Sequence, residues 1–398
     1  MNYSFPTASS QRLAKCGLLW LALLATGCVE PYVPDVVTAS NSYLVVDGFI
    51  NGNGPTTILL SRTANVASTA ALPVEKGAKL SIVDDAGGRY ALTEKPSGTY
   101  KSDSLTLNPA RQYQLRITTA ANATYASDLV PLKVTPPIDK LSWQLTGSQV
   151  QLQLSTHDAQ QQSRYYRWSF TETWEFNSAY QSVLEYDTQR KIIVARTTPI
   201  YTCWRTERPT AIRQGSTAQL SQDVVTDLPL LTLDGHDERF KVRYSALVKQ
   251  YAETPAEFAY NELLRKNTEA VGGVNDPLPV QLTGNVHRLD AATEPVLGYV
   301  GAHTVAQERI FISRQDLQVP NSWVFNTPYN ACTQLIELVP DPMDKPPIYI
   351  PNTNLFSSRE NTPVNYYINA GFTLGYIGST TDCVDCRRRG SNVKPSFW

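Results

Sequence analysis

The stretch Tyr43-Leu44-Val45-Val46-Asp47-Gly48-Phe49-Ile50, followed by Asn51-Gly52-Asn53-Gly54-Pro55, points to the fold class of this chain. A short apolar segment that ends in Gly, Asn and Pro is the pattern of a β-strand followed by a turn. About seven such segments, spaced by about 8–12 residues, predict an immunoglobulin-like β-sandwich over residues 41–137. The other predicted strands of this domain are Thr57–Ser61, Ala78–Val83, Arg89–Leu92, Gly98–Tyr100, Gln112–Ile117 and Thr124–Ser127.

Pro136-Pro137 favours extended chain and lacks two backbone donors, which is typical of a linker. The β pattern resumes after it, so residues 138–398 predict a second, larger β-rich domain with a sandwich core. In this domain Tyr166, Trp168 and Phe170 share one face of a strand. Such an aromatic stripe is typical of a core-facing strand, and the alternative is an aromatic platform for a sugar.

One amphipathic helix interrupts the β pattern of the second domain. Thr254-Pro255-Ala256-Glu257 provides an N-cap, a proline at the first helical position and a glutamate at the third, which predicts a capping box. Phe258 and Leu263-Leu264 give the helix an apolar side, and Gly272-Gly273 ends it. The predicted fold is therefore mainly β, with two sandwich domains and a helix near residues 254–270 in the second.

Residues 1–27 have the composition of an export signal. Arg12 and Lys15 supply positive charge, an apolar segment follows, and small residues lead to Cys28. The apolar segment is only about half the roughly 20 residues that a membrane-spanning helix needs. Leu24-Ala25-Thr26-Gly27-Cys28 resembles the lipobox of bacterial lipoproteins, except that the leucine stands four residues before the cysteine instead of three.

A lipid on Cys28 would anchor the mature chain by burying acyl groups, at about 0.8 kcal/mol per CH₂. Residues 28–40 would then be a tether between the lipid and the first domain. The alternative is an ordinary secretory signal that is cleaved near Ala25 or Gly27 and leaves Cys28 as an unmodified thiol. Both alternatives predict an exported protein.

The composition argues for folded domains and against a nucleic-acid partner. Hydrophobic residues make up 42% of the chain and aromatic residues 10%, which is enough to build a core. The net charge is −1 and both signs are interspersed, so no basic stripe is available to neutralise phosphates.

Four cysteines follow Cys28: Cys203, Cys332, Cys383 and Cys386. An even number of cysteines in an exported chain predicts two disulfides, and three pairings are possible. The segment after Asp382 has few apolar residues, so a disulfide from the Cys-x-x-Cys pair to Cys203 or Cys332 would hold it to the body. Phe397-Trp398 would then dock on a face of a sandwich.

The spacing of Cys383 and Cys386 is also that of a redox pair or of half a zinc site. A redox motif would lie between a strand and a helix, whereas Arg387–Gly390 and a proline-containing terminus follow here. A zinc site needs about four ligands close together. The four histidines, His157, His236, His287 and His303, are scattered singly. We therefore predict no metal site.

No catalytic motif is present in the sequence. There is no Gly-x-Ser-x-Gly elbow, no His-Glu-x-x-His and no glycine-rich phosphate loop. Glu172 and Glu175 are three residues apart on a predicted strand and point to opposite faces, which excludes a glycosidase pair. The sequence predicts no enzyme activity and no cofactor.

Several short segments, in a fixed order along the chain, form a pattern that is found in one known family. They are Cys28–Tyr32, Val45–Ile50, Gly98–Tyr100, Cys203-Trp204, Arg243–Ser245, Gln250-Tyr251, Gly284–Val286, Gly298-Tyr299, Cys383–Arg387 and Lys394–Trp398. In these segments the chain resembles the outer-membrane lipoproteins of Bacteroidota known as domain of unknown function 4249, often encoded beside TonB-dependent transporters. The resemblance implies an outer-membrane location, facing either the periplasm or the cell surface, and a transporter partner. It implies no reaction.

Three functions follow from these observations. The first is a non-catalytic outer-membrane lipoprotein that works with a TonB-dependent transporter in substrate capture or uptake. The second is a separate surface module that binds a glycan or a peptide through Trp168, Trp174 and Trp204. The third is an extracytoplasmic hydrolase, since β-sandwiches also carry enzymes and the fold does not decide the function.

Overall fold

The computed structural model describes residues 42–64, 72–96, 98–269, 282, 284–338 and 355–398. The predicted export signal, Cys28 and the tether lie outside the described residues. One compact unit takes in residues 43–61 and 74–398, and the architecture below is that of this unit. Residues 1–42 and 62–73 make up the other unit, of which only a few residues are described.

The described residues are mainly strand, as predicted. The first ten strands are β1 (Leu44–Asn51), β2 (Pro55–Arg62), β3 (Lys79–Asp84), β4 (Arg89–Lys95), β5 (Thr99–Ser104), β6 (Gln112–Thr118), β7 (Thr124–Ser127), β8 (Val130–Pro131), β9 (Ile138–Thr146) and β10 (Gln149–His157). The next seven are β11 (Tyr165–Asn177), β12 (Leu184–Asp187), β13 (Ile192–Ala195), β14 (Thr202–Glu207), β15 (Arg213–Ser216), β16 (Val224–Asp234) and β17 (Arg243–Ala252). The last six are β18 (Val286–Arg288), β19 (Ala302-His303), β20 (Val305–Ser313), β21 (Leu335–Leu338), β22 (Asn361–Asn369) and β23 (Phe372–Thr380). The helices are α1 (Pro255–Glu269) and α2 (Thr381–Val384).

The early strands form one continuous sheet in the order β7-β6-β3-β4-β5-β2-β1, called the first sheet below, with β8 beside β6. In β2, Thr56, Ile58 and Leu60 are buried and the residues between them are exposed, as the period of two predicts. Two late strands extend the edges of this sheet. β18 pairs with β7, and β19 pairs in parallel with β1.

A large apolar cluster lies under the first sheet. It contains Ile58, Ile82 and Leu115 from the early strands and Val300 from the segment between β18 and β19. The segment between β18 and β19 approaches β1 closely at Gly298, whose φ is +124°. A Cβ at this position would lie 2.0 Å from the carbonyl oxygen of Val46, so the approach requires glycine.

Two further sheets face each other in the second part of the chain. One has the order β16-β10-β9, and the other has the order β14-β11-β17-β20, with β15 also beside β11. Val150 and Leu152 from β10 share an apolar cluster with Phe176 from β11 and Tyr244 from β17. A second cluster, with Leu154, Trp168 and Val248, lies between the same sheets. The two sheets therefore pack in the manner of a sandwich, in agreement with the predicted mainly β fold class.

The two-domain division at Pro136-Pro137 stays a prediction. Pro136 is buried, and its carbonyl oxygen accepts a hydrogen bond from Gln250 Nε2 at 2.9 Å. The neighbouring Thr135 bonds to Thr304 through both its backbone N–H and its hydroxyl. The segment that reads as a linker is thus tied by hydrogen bonds to later parts of the chain.

The predicted helix is confirmed as α1, and its capping box is half formed. Thr254 Oγ1 accepts a hydrogen bond from the backbone N–H of Glu257 at 3.1 Å. The Glu257 carboxylate does not complete the box, because it turns toward His303, with Oε1 3.4 Å from Nε2. Phe258 packs against Tyr165 of β11 at a ring distance of 5.0 Å and fixes the helix on the β14-β11-β17-β20 sheet.

Candidate functional site

Two of the tryptophans proposed as ligand contacts lie in the core. Trp168 is 1% exposed and Trp174 is 4% exposed. Trp168 Nε1 donates a hydrogen bond to Gln250 Oε1 at 2.9 Å, inside the sandwich. The assignment of these two residues to a binding surface is therefore wrong, because buried rings present no face to a ligand, and the core interpretation of the stripe is correct.

Trp204 is half-buried and lies on the other side of the sheet. It pairs in register with Glu175 of β11, so both side chains point away from the core that Trp174 faces. Its backbone also pairs with Ser391 of the C-terminal segment. The three tryptophans consequently share no platform.

The same alternation separates Glu172 from Glu175. Glu172 is buried and accepts a hydrogen bond from the Tyr244 hydroxyl at 2.5 Å and from Arg239 at 3.1 Å. Glu175 lies on the opposite face and accepts a hydrogen bond from Trp398 Nε1 at 2.9 Å. The two carboxylates therefore do not face a common substrate position.

Two disulfides join the C-terminal segment to the body, as predicted, and the structure selects one of the three pairings. Cys203 pairs with Cys386, and Cys332 pairs with Cys383. The end of the chain docks on the outer face of the β14-β11-β17-β20 sheet. There Trp398 packs against Phe311 at a ring distance of 5.6 Å.

A cleft of about 390 Å³ opens beside these disulfides. The hairpin β12-β13 forms one wall, and the loop before β22 together with the turn after α2 forms the other. Backbone contacts fix the walls, because Val183 N–H donates to Val364 O and Cys386 N–H donates to Ile200 O, each at 2.9 Å. The cleft residues that carry chemistry are Glu185, Thr188, Arg196, Arg359, Asn361, Thr362, Thr381, Asp385, Arg387 and Arg388.

Arg196 is the most enclosed charge of this cleft, with 9% of its side chain exposed. Its Nε donates a hydrogen bond to Ser182 Oγ at 2.9 Å, and Ser182 Oγ in turn lies 2.7 Å from the Pro363 carbonyl oxygen. The contact with its acidic neighbour is long, at 3.5 Å from Nη1 to Glu185 Oε2. Burial lowers the pKa of the Arg196 guanidinium, although Glu185 and Asp385 act in the opposite sense.

The other side of the cleft carries two consecutive arginines. Asp385 Oδ1 accepts from Arg387 Nε at 2.9 Å and Oδ2 from Nη2 at 2.7 Å, so this pair is bidentate. Arg388 Nε donates to Asp382 at 2.9 Å, on the rim. Burial raises the pKa of Asp385, but the contacts with Arg387 outweigh it, so the net pKa lies below its usual value.

A second charged cluster, centred on the buried Glu253, lies at the N-terminal end of α1. Arg167 donates to Glu253 at 2.6 Å, and Glu253 also accepts hydrogen bonds from Gln214 and Asn261. Burial raises the pKa of Glu253. The Glu253 side chain is fully buried, which indicates a structural role in fixing the helix rather than contact with a substrate.

No group of three or more His, Cys, Asp and Glu side chains suited to a metal ion occurs in the described ranges. Within the same ranges, no helix has both the length and the hydropathy needed to cross a bilayer.

The family model described as domain of unknown function (DUF4249) matches residues 29–309, which is most of the chain. The chain belongs to this family. No curated protein matches this DUF4249 member.

Among solved structures, this DUF4249 protein is similar to the Yersinia pseudotuberculosis adhesin InvE, at 12% identity over 54% of this chain, with a TM-score of 0.16. It is also similar to a pullulanase from Anoxybacillus sp., complexed with maltotriose, at 12% identity over 54% of this chain and a TM-score of 0.15. A DUF4785 family protein of Legionella pneumophila gives 12% identity over 52% and a TM-score of 0.17. The chain spans about half the length of the adhesin and the Legionella protein, at 55% and 51%, and 24% of the pullulanase.

Sequence reasoning missed the cleft of this DUF4249 protein. Arg196 lies far along the chain from Arg387 and Arg388, and nothing in its neighbourhood predicts a site. The available signal was the run Arg387-Arg388-Arg389 directly after the Cys-x-x-Cys pair. Three consecutive positive charges beside two cysteines that are expected to form disulfides with earlier parts of the chain predict a charged surface next to a covalently fixed segment.

Proposed function

We propose that this protein is a non-catalytic lipoprotein of the outer membrane that captures a small ligand in the cleft and acts with a TonB-dependent transporter. The observation that carries the proposal is the cleft itself, whose walls are fixed by the hydrogen bonds to Val364 and Ile200 and by the disulfide at Cys386. A site whose walls are held by backbone hydrogen bonds and, on one side, by a disulfide loses little conformational entropy when a ligand binds.

The composition of the cleft supports binding rather than catalysis. The described residues that line it include no histidine, lysine or cysteine. Its two carboxylates, Glu185 and Asp385, are both engaged by arginines. Among the described lining residues, no imidazole, amine or thiol is available to act as a general acid, base or nucleophile, which favours binding over catalysis.

The lipid attachment predicted at Cys28 supports the proposed location. We expect Cys28→Ser to move the protein from the membrane fraction to the soluble exported fraction, because acyl burial is then lost. Cys16→Ser is the matched control, since this cysteine lies in the predicted signal and its removal should leave the anchoring unchanged. The measurement is fractionation of cells labelled with a fatty acid.

Two outcomes would contradict the proposal. One is a Cys28→Ser protein that carries no label and still pellets with outer membranes after a high-salt wash. The other is affinity purification of the tagged wild-type protein, in mild detergent, that recovers no TonB-dependent transporter. Recovery of a transporter with the wild type and with Cys16→Ser is the expected result.

A further inference from the structure

The charge of the cleft indicates what kind of ligand it takes. Four arginines line it, Arg196, Arg359, Arg387 and Arg388, against two carboxylates. Even when Asp382, which pairs with Arg388 on the rim, is added to the carboxylates, the excess is positive, in a chain whose net charge is −1. A positive excess inside a concave site raises the local concentration of anions.

Arg196 is placed to receive such an anion. A guanidinium has five N–H donors, and Ser182 and Glu185 engage only Nε and Nη1. Among the described residues, the Arg196 side chain has no further hydrogen-bond acceptor. Because its planar donors match the two oxygens of a carboxylate or phosphate, an anion in the cleft would pair with it in a bidentate manner.

The remaining lining groups are suited to hydroxyls. Thr188 presents a hydroxyl group, while Thr362, Thr381 and Asn361 already donate hydrogen bonds within the wall of the cleft. Their side-chain oxygens keep lone pairs that can accept hydrogen bonds from ligand hydroxyls. Tyr186 adds an aromatic wall. A volume of about 390 Å³ lies near the lower end of small-molecule sites and accommodates one or two sugar rings.

We propose that the cleft binds a small polyhydroxylated anion, a sugar acid or a sugar phosphate, with its anionic group on Arg196. This inference rests on the proposed function, because it names the class of ligand that the lipoprotein captures. The two ligand types share the chemistry of an anionic group next to several hydroxyls.

The test is calorimetric titration of the purified, full-length lipoprotein in detergent with D-glucuronate, D-glucose 6-phosphate and D-glucose. We expect at least one of the two anions to bind and neutral glucose to bind about tenfold more weakly or not at all, which is the usual loss for one charge-assisted contact. The two anion arms distinguish a carboxylate from a phosphate. Equal binding of glucose, or heat from none of the three, would overturn the proposal.

Variants locate the anion. Arg196→Gln should weaken the binding of the preferred anion by about tenfold. Arg190→Gln is the matched control, because this arginine belongs to the same β12-β13 hairpin, is 74% exposed and is absent from the lining of the cleft. An equal loss in both variants would mean an unspecific charge effect and would overturn the assignment.

A third variant keeps the test decisive if Arg196→Gln fails to fold. Arg388 is exposed and lines the cleft, so Arg388→Gln should fold normally and weaken anion binding several-fold; unchanged binding would contradict the site.

Purification of the transporter with Arg196→Gln separates the proposed ligand class from the proposed transporter partner. If the transporter is recovered but no anion binds the wild type, the ligand class is wrong and the proposed function stands. If anions bind and no transporter is recovered, the proposed function fails instead.

Discussion

The first sheet and the cleft region, residues 182–200 and 355–398, are held together by different means. Beneath the first sheet lies a large cluster of buried apolar side chains. In the cleft region the corresponding cluster has three buried members, Ile200, Val364 and Val384, with Tyr180 packed beside them. Two disulfides and a set of ion pairs accompany this small cluster. Where little apolar area is available to offset chain entropy, covalent links and charge pairs therefore hold the fold.

The largest expected effect comes from the disulfides. Cys203 and Cys386 are 183 residues apart, and Cys332 and Cys383 are 51 apart. In the chain-entropy model, Cys203→Ala with Cys386→Ala should destabilise the protein by about 5 kcal/mol, and the other pair by about 4 kcal/mol. Hydrogen exchange should show faster exchange in the cleft region, with the amides of the first sheet still protected. Equal loss of protection in both regions would show that the disulfides do not stabilise the cleft region in particular.

A matched pair of core truncations should give the next largest difference. Val300, under the first sheet, and Val384, in the cleft region, are both fully buried. We expect Val300→Ala to lower the free energy of unfolding by about 2–3 kcal/mol and Val384→Ala by about 1 kcal/mol, because a small cluster collapses more easily around the missing methyl groups. Denaturant unfolding measures both values. A larger loss at Val384 would show that the small cluster, and not the disulfides, stabilises the cleft region.

The acid sensitivity of the two regions should also differ. Since the pKa of Asp385 lies below its ordinary 3.8 in the folded protein, this carboxylate stabilises the fold above that pH, and the contribution is lost as the pH falls through the folded value. We expect Asp385→Asn to cost on the order of 1 kcal/mol at pH 7, through weaker contacts with Arg387, and progressively less below pH 3.8.

Asp84→Asn in the first sheet is the control for this experiment. Asp84 accepts from the backbone N–H groups of Ala86 and Gly88 through the single atom Oδ1, an acceptor that asparagine retains. Its effect should therefore be smaller than that of Asp385→Asn at pH 7. Unfolding curves at pH 7 and pH 3 decide the matter, and a difference that grows toward low pH for Asp385→Asn would contradict the assignment.

The smallest effect is expected at the last residue. Trp398→Phe keeps a ring against Phe311 but removes the hydrogen bond to Glu175, which should cost ~0.5 kcal/mol because the tryptophan is only half-buried. Thermal unfolding compared with the wild type measures it. A loss above that of Val384→Ala would mean that docking of the tail, rather than the disulfides, fixes the C-terminal segment.

Much of the fold could be predicted because alternation is a local signal. Buried and exposed residues alternate in β2, and buried and half-buried residues alternate in β11 except at Thr173, as the period of two in the sequence predicts. The helix was predictable from Thr254, Pro255 and the apolar side that follows. The strands β18 and β19 were not predicted, because they have three and two residues and carry no periodicity of their own.

The candidate site was much less predictable than the fold. Aromatic residues on a strand predict either a core or a platform, and only the position of the second sheet shows that Trp168 and Trp174 are buried. The cleft requires Arg196 to meet Arg387 and Arg388 across the fold. Contacts between residues so distant in sequence depend on the packing of whole sheets, and a single sequence contains no local pattern for them.

Residue type and short-range spacing were enough to predict the mainly β class, the position of the helix and the number of disulfides, and to show that no recognised catalytic motif is present. Which cysteines pair, which tryptophans are buried and which arginines line a common cleft became known only from the folded chain. Side chains far apart in sequence come into contact only when the sheets pack, as the pairing of Cys203 with Cys386 across 183 residues illustrates.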